Sequence, residues 1–555
     1  VKTEALTLAV KDFWQQYPKS LGTTASGLRL GICPAITPAD LYANKPDEEK
    51  LYYYLRDGNY TYRRGLMKRH ELWLGTPADA AEVMARAARP LTAVAPARYY
   101  QTVQAVGDIL ADNAAAWAAY DQILADGLTA YLDGRERDHE YGLMNYGDWW
   151  GERRLNWGNL EYDLQVGMLQ QYLRTGDPRF FYLGEAASRH NTDIDTIHWV
   201  EEPPRLPDRC VEPMPGEIWV HCMGHTGGYY PRNYKDMEVY SLGYATNRGH
   251  MWVGGNFLYG MLSGDPLVLA SARLAADWMA GPNTTNFDFG NAREPGWMTI
   301  AVMSAYRATR DPYYLNAADI MLTKVHEKAQ ATRPEYGLYY HKLPTGHCNC
   351  PDDQKHYGEA GFMAGVLMTG MKRFYQETGR EQVADDIVGI AKFIVDTMWV
   401  PAENGFRYTS CPLTAASSGS GGIMDEGLAF AANRTHNEDL REIVRLSFAG
   451  AMIGLQSTAS GGKSAGYLIH SMPGAITEIG KFPGPDFGTF YAQQLREARS
   501  PALSALPALM PNPDFEEGTA GWVTRTGFTV VPAPEAAHSG KLGALVTGTG
   551  KAQNE

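Results

Sequence analysis

One pattern recurs along this chain and limits what it can fold into: an apolar helix, a short turn built on Gly or Asp, and a second apolar helix. The first copy runs from Asn159 to Leu173, with Leu160, Leu164, Met168 and Tyr172 on one stripe, breaks at Thr175-Gly176-Asp177 and resumes from Phe180 to His190. It returns as Asn256 to Leu262, Ser263-Gly264-Asp265 and Leu267 to Met279, then as Trp297 to Ala308, Thr309-Arg310-Asp311 and Tyr313 to Val325. A fourth copy is Phe362 to Tyr375, Thr378-Gly379-Arg380 and Val383 to Met398. A weaker fifth is Gly427 to Ala432, a turn through Arg434-Thr435-His436-Asn437, and Leu440 to Met452. A lone hairpin cannot bury its apolar face, so the copies must pack side by side. With a helix before residue 135 added, the pattern predicts six hairpins closing into an (α/α)6 toroid.

The flanks differ in character. Residues 1–78 alternate in the β manner around Leu6 to Phe13, Leu28 to Ile32 and Tyr60 to Leu74, which predicts part of a β-sandwich. Residues 79–498 carry the helices, including an Ala-rich stretch over 109–132 with Trp117, Tyr120, Ile123 and Leu124 at helical spacing. From residue 499 to 555 Pro, Ala and Ser take over, and Asn512-Pro513-Asp514-Phe515-Glu516 with Gly521-Trp522 is similar to the opening strand of a jelly-roll carbohydrate-binding module, cut off at Glu555. The expected class is α+β: a toroid with a partial N-terminal β-sandwich and the start of a C-terminal jelly-roll.

Charge narrows the partners. A formal net charge of −13 supplies no basic block to displace counterions, which argues against nucleic acid and against an anionic membrane. No apolar run approaches the length needed to span a bilayer. The 33 Tyr and 13 Trp exceed what packing needs and suit stacking on sugar rings; a polyanionic sugar would then require a locally basic cleft. Six cysteines are too sparse for a disulfide scaffold, and the start at Val1, without an initiator Met or a signal-peptide pattern, reads as a mature or truncated fragment.

Three segments concentrate chemistry. The first holds Asn145, Asp148, Trp149, Trp150, Glu152, Arg153, Asn156, Asn159 and Glu161 where a helix begins, a place whose free backbone donors favour an anion. Its alternative is a capping loop whose Trp residues plug the core. The second holds His221, His225, Tyr229 and Tyr230 and continues to Arg248 and His250. The four-residue spacing of His221 and His225 resembles a helical zinc pair, but the intervening glycines make the segment a loop. The third is His347-Cys348-Asn349-Cys350 followed by His356 and Glu359, which could hold Zn²⁺ but has no second CxxC or matched His pair, and for which a disulfide-tied loop is an equal alternative; for the chain as a whole a divalent cation, Ca²⁺ or Zn²⁺, stays open. His198 could face the same mouth or cap a helix. No cofactor is required by any of these patterns.

The run from Tyr146 through Asp148 and Trp149 to Asp163, the turn Arg174-Thr175-Gly176-Asp177, the 221–230 segment and the early Lys11-Asp12-Phe13-Trp14-Gln15-Gln16-Tyr17-Pro18-Lys19 together resemble the YetA-like family that contains fungal exo-rhamnogalacturonan lyase. The similarity covers residues 1 to about 495 and is most specific over 145–163. It implies β-sandwich domains joined to an α/α toroid, cleavage of a uronic-acid glycoside by β-elimination, and an extracellular or periplasmic setting. The N-terminal β region is shorter here than in that family.

The chemistry expected is therefore that of a polysaccharide lyase. Tyr230 or His225, beside His221, would remove the proton next to the uronate carboxylate, and Arg248, Asn159 or Arg153 would hold that carboxylate. A glycoside hydrolase using two of Asp148, Glu152, Glu161 and Glu359 is the rival, and a non-catalytic glycan-binding protein is a third reading.

Overall fold

The computed structural model describes residues 1–34, 65–151, 157–200, 214–219, 248–281, 284, 290–458 and 462–499, with two further strands at 528–533 and 543–548. Contacts divide the chain into Val1–Phe487 and Gly488–Glu555. In the first unit β1 (Thr7–Val10) pairs antiparallel with β4 (Leu72–Gly75), and β2 (Ser20–Thr24) forms a separate hairpin with β3 (Gly27–Gly31). Helix α1 (Ala80–Ala88) lies on the first pair, where Ala9, Val83, Ala87 and Trp73 make a small apolar cluster.

After α2 (Ala97–Val103) the Ala-rich stretch enters α3 (Ala118–Arg137) later than its composition predicts. The N–H groups of Ile109 and Leu110 both donate to the Gln101 side chain, at 2.8 and 2.9 Å, so 109–111 stay irregular and 112–113 turn before the helix begins.

Turn chemistry sets the hairpins. Helix α4 (Leu164–Thr175) ends at Gly176, in the left-handed region at φ 76°, and α5 (Pro178–His190) starts from Asp177, whose carboxylate accepts the N–H of Arg179. The same device joins α6 (Gly254–Ser263) to α7 (Pro266–Ala280) through Gly264 and Asp265, and α8 (Arg293–Thr309) to α9 (Pro312–Thr332) through Arg310 and Asp311. Each second helix opens on Pro, whose missing N–H costs nothing there. Two more hairpins pair α10 (Gly361–Thr378) with α11 (Glu381–Met398) and α12 (Asp425–Thr435) with α13 (Glu438–Thr458); left-handed Gly379 and His436 end the first helix of each.

The first helices of these hairpins form a closed ring. Helix α4 packs on α6, α6 on α8, α8 on α10 and α10 on α12; α12 then meets α15 (Met472–Ile479), and α14 (Gly462–Ile469) returns to α4. The second helices lie outside this ring, and α3 packs against α13. Such inner helices are apolar on most of their circumference, and in α8 every residue from Pro295 to Ala305 is buried. Helices α8 and α10 approach closely: a Cβ on Gly296 would stand 2.8 Å from the backbone N of Leu367.

Short ladders sit on the connections: β5 (His341–Lys342) with β6 (Tyr357–Gly358) before α10, and β7 (Trp399–Val400), β8 (Gly405–Arg407) and β9 (Ala416–Ser417) between α11 and α12. The first unit ends on the start of α16 (Phe487–Arg499), where Phe487 stacks on Trp117 at 4.5 Å. In the second unit β10 (Phe528–Ala533) pairs antiparallel with β11 (Gly543–Gly548); the Asn512 to Trp522 motif lies outside the described residues. Among the described residues no helix is long and apolar enough to cross a membrane.

Candidate functional site

At the end of the ring where α4, α6, α8 and α10 begin, a cavity of about 660 Å³ draws its lining from segments far apart in sequence. Glu161 and Tyr162 come from the loop before α4, His250 from just before α6, Arg293 from the first residue of α8 and Phe362 from the first turn of α10. His347 and Tyr408 enter from the two loops that carry the short ladders, Ser420 from the approach to α12, and Lys463 and Tyr467 from α14. All three chemistry-rich segments of the sequence thus contribute to one cavity.

Its wall is aromatic. Phe362 and Tyr408 stack with centroids 5.6 Å apart, and the His347 ring stands edge-on to Tyr408 at 5.3 Å. Tyr162 meets Tyr467 edge-on at 5.2 Å, and the Tyr467 hydroxyl donates to the Ser420 carbonyl at 2.8 Å.

Its charge is mostly cationic. Arg293 lies over the Phe362 ring at 5.8 Å and directs Nη2 to the His250 imidazole at 3.2 Å, while its Nε is buried with no partner among the described residues. Lys463 pairs with Glu161 at 2.9 Å, and His250 stands 4.0 Å from the same carboxylate. His347 is pushed below the ordinary imidazole range, chiefly by burial; Arg293 and His341 add to this and Glu359 opposes it. Its Nδ1 is buried without a hydrogen-bond partner among the described residues. Glu359 sits behind the wall: its carboxylate accepts the N–H groups of Ala292 and Ala360, each at 2.8 Å, and so fixes the start of α8 from which Arg293 projects.

The residues singled out in the sequence divide into lining and scaffold. Glu161, His250 and His347 line the cavity. Asp148 is fully buried, and its carboxylate accepts the N–H groups of Asn159 and Leu160 at 2.7 and 2.9 Å. This bends 159–163 into a turn with positive φ at Asn159, Leu160, Tyr162 and Asp163, so α4 starts at Leu164 rather than at Asn159. Burial, with Asp195 nearby, raises the Asp148 carboxyl well above the usual range.

Asn159 spends its amide on Asp195 and on the Trp219 carbonyl, at 2.9 and 3.1 Å, which leaves it in the scaffold rather than on a substrate carboxylate. Asn145 is buried and donates to the Tyr141 carbonyl. Trp149 is a core plug pressed between Gly158 and Gly462, and Trp150 packs edge-on against Trp157 at 5.2 Å. His198 Nε2 lies 2.6 Å from the Thr192 carbonyl, Arg248 stacks over Trp278 at 5.6 Å, and the His356 backbone N–H points to Cys348 Sγ at 3.4 Å. Glu152, Arg153, Asn156, His221, His225, Tyr229 and Tyr230 lie outside the described residues.

Arg293, Phe362, Tyr408, Lys463 and Tyr467 were not singled out in the sequence. They lie singly at the starts of α8 and α10, in the loop after β8 and along α14, and ring closure brings them together. A second cavity of about 360 Å³ includes Lys11, Asp12, Arg135 and Glu185 in its lining, but there Lys11 and Glu185 pair with each other at 3.0 Å.

No protein family is matched by the chain, and no curated protein is matched either. Among solved structures it is similar to a polysaccharide lyase at 13% identity and TM-score 0.43, over 66% of this chain and 100% of that one. It is also similar to a family 88 glycosyl hydrolase from Bacteroides vulgatus (13%, TM-score 0.38, 59% and 84% covered) and to cellobiose 2-epimerase from Spirochaeta thermophila (11%, 0.35, 53% and 73%). Likeness at this level does not carry an activity, so the functional reading rests on the cavity.

Proposed function

We propose that the cavity binds an acidic saccharide and that the chain is a polysaccharide lyase. The observation that carries this is Arg293: a partly buried guanidinium, with an unpartnered Nε, over an aromatic wall in a cavity where the helix starts also favour an anion. A uronate carboxylate supplies the missing counter-charge, its ring lies on Phe362 and Tyr408, and Lys463 and His250 flank it.

The elimination follows from the neighbours. A base removes the proton on the carbon that bears the carboxylate, and the electron pair forms a double bond to the next ring carbon. The bond from that carbon to the glycosidic oxygen breaks, and the oxygen takes a proton. His347, held neutral by its depressed pKa, is the base among the described residues, and the hydroxyl of Tyr408, an exposed residue of the lining, can serve the leaving oxygen. Arg293 offsets charge that builds on the carboxylate in the enolate-like state. His225 and Tyr230 keep their candidacy within a segment outside the described residues.

A hydrolase needs two carboxylates about 5–10 Å apart. Among the described residues Glu161 is the carboxylate that lines the cavity, and Lys463 holds it. The YetA-like relationship, the six-hairpin count with α3 outside and α14–α15 inside, the β-sandwich, a rhamnogalacturonan-like polymer and an extracellular or periplasmic site belong to the same proposal. Calorimetry with uronate oligosaccharides and their carboxyl-reduced counterparts tests it: binding lost on carboxyl reduction is expected, and equal affinity for both rejects an acid-binding cavity.

A further inference from the structure

The motif His347-Cys348-Asn349-Cys350 has no second cysteine pair in sequence, but folding supplies a third sulfur. Cys411, in the loop after β8, places its Sγ 3.4 Å from that of Cys348 and 3.8 Å from that of Cys350. All three ligand atoms lie within 4.8 Å of one another. A disulfide needs about 2.05 Å between sulfurs. Thiolates around a tetrahedral Zn²⁺, each about 2.3 Å from the metal, stand about 3.8 Å apart along the tetrahedron's edges. The observed spacing fits the second geometry.

The surroundings fit it too. Leu343, Cys348 and Cys411 form a buried cluster with Cys350 at its edge, so the sulfurs are shielded on one side and reachable on the other. The His356 N–H points to Cys348 Sγ at 3.4 Å, a contact typical of metal-bound thiolate. Lys355, its side chain only 8% exposed, donates to the carbonyls of Cys348 and Cys350 at 2.9 Å each. Three thiolates and one Zn²⁺ leave a single negative charge, and this ammonium lies beside it.

We infer that Cys348, Cys350 and Cys411 bind one zinc ion, with the fourth coordination position at the half-buried Cys350 side taken by water. Each thiol releases its proton to solvent as the metal binds. The ion clips two loops that also meet through Thr409 Oγ1 to the His347 carbonyl (2.7 Å) and Asn349 Nδ2 to the Leu413 carbonyl (3.0 Å). Those loops carry His347 and Tyr408 into the cavity, so the metal would be a positioning element. The inference stands on the sulfur geometry and does not depend on the lyase reading.

The test uses the full chain, purified with added zinc and desalted, then assayed for metal and for native thiols. About one zinc per chain is expected, with cobalt exchange giving an intense thiolate-to-metal absorption band. Cys411→Ser should lower metal content at least about tenfold, and so should Cys350→Ser, whose half-exposed position spares the core if the first variant misfolds. A folded chain with no zinc and Cys348, Cys350 and Cys411 all titratable overturns the inference, as does intact mass showing any two of them joined as a disulfide.

Discussion

Arg293 Nη2 lies 3.2 Å from His250 Nε2, and His250 is the hydrogen-bonding partner of that guanidinium among the described residues. Contact with an imidazole leaves most of the guanidinium charge unbalanced, which is the condition a substrate carboxylate would relieve. Arg293→Ala is therefore expected to lower kcat/KM on an acidic polysaccharide by about a hundredfold or more, with Arg293→Lys recovering part of the loss. Michaelis–Menten measurements check this; unchanged kcat/KM in a folded Arg293→Ala chain would remove Arg293 from the site.

For His347 the expectation concerns rate rather than binding. His347→Ala should lower kcat about a hundredfold or more with KM little changed, because a base acts in the transition state. Burial, with Arg293 and His341, depresses its pKa, and the base must be neutral to act. Activity should then persist below the ordinary imidazole value of about 6.5 and fail only at more acid pH. An acid limb at or above that value in the kcat–pH profile would exclude His347 as the base.

The hairpins were legible because their determinants are local: a left-handed residue at Gly176, Gly264 or Gly379 and an Asp cap at 177, 265 or 311 work within a few positions of the helix end. The start of α4 was not, because the turn at 159–163 is imposed by Asp148 from eleven residues away. Of the site, Glu161, His250 and His347 were legible as members of polar runs. Arg293 and Lys463 were not, since each gains its meaning from a neighbour distant in sequence: Phe362 on α10 for one, Glu161 in the loop before α4 for the other. Density of polar and aromatic residues at 145–159 marked a real structural knot, in which Asn145, Asp148, Trp149 and Asn159 are all buried away from the cavity lining.

Stability should carry a signature of Asp425. Burial raises its carboxyl to about 7, against which the Ser447 hydroxyl bond at 2.6 Å works in the opposite direction. The folded state therefore holds a proton that the unfolded chain releases near pH 4, and this group's contribution falls as pH rises from about 4 to 7. Denaturation of wild type and Asp425→Asn across that range should show the wild type losing ground to the variant as pH rises. Parallel curves would contradict a raised pKa at this position.

Ring closure can be probed at Gly296. Alanine is favoured over glycine in a helix by up to about 1 kcal/mol. Here, however, the new methyl would stand 2.8 Å from Leu367 N and 2.9 Å from Val366 Cγ1, and overpacking of this kind costs about 1–3 kcal/mol. Gly296→Ala should be net destabilising, lowering Tm by a few degrees in calorimetry; a rise in Tm would mean that α8 and α10 pack less closely.

Elimination at an acidic sugar leaves a product that hydrolysis cannot form. A uronate polymer digested in heavy-oxygen water should yield fragments whose new non-reducing end carries a double bond conjugated to the carboxylate. These should absorb in the near ultraviolet and contain no heavy oxygen at the new reducing end. Fragments lacking the double bond and labelled at that end would show hydrolysis and contradict the lyase assignment.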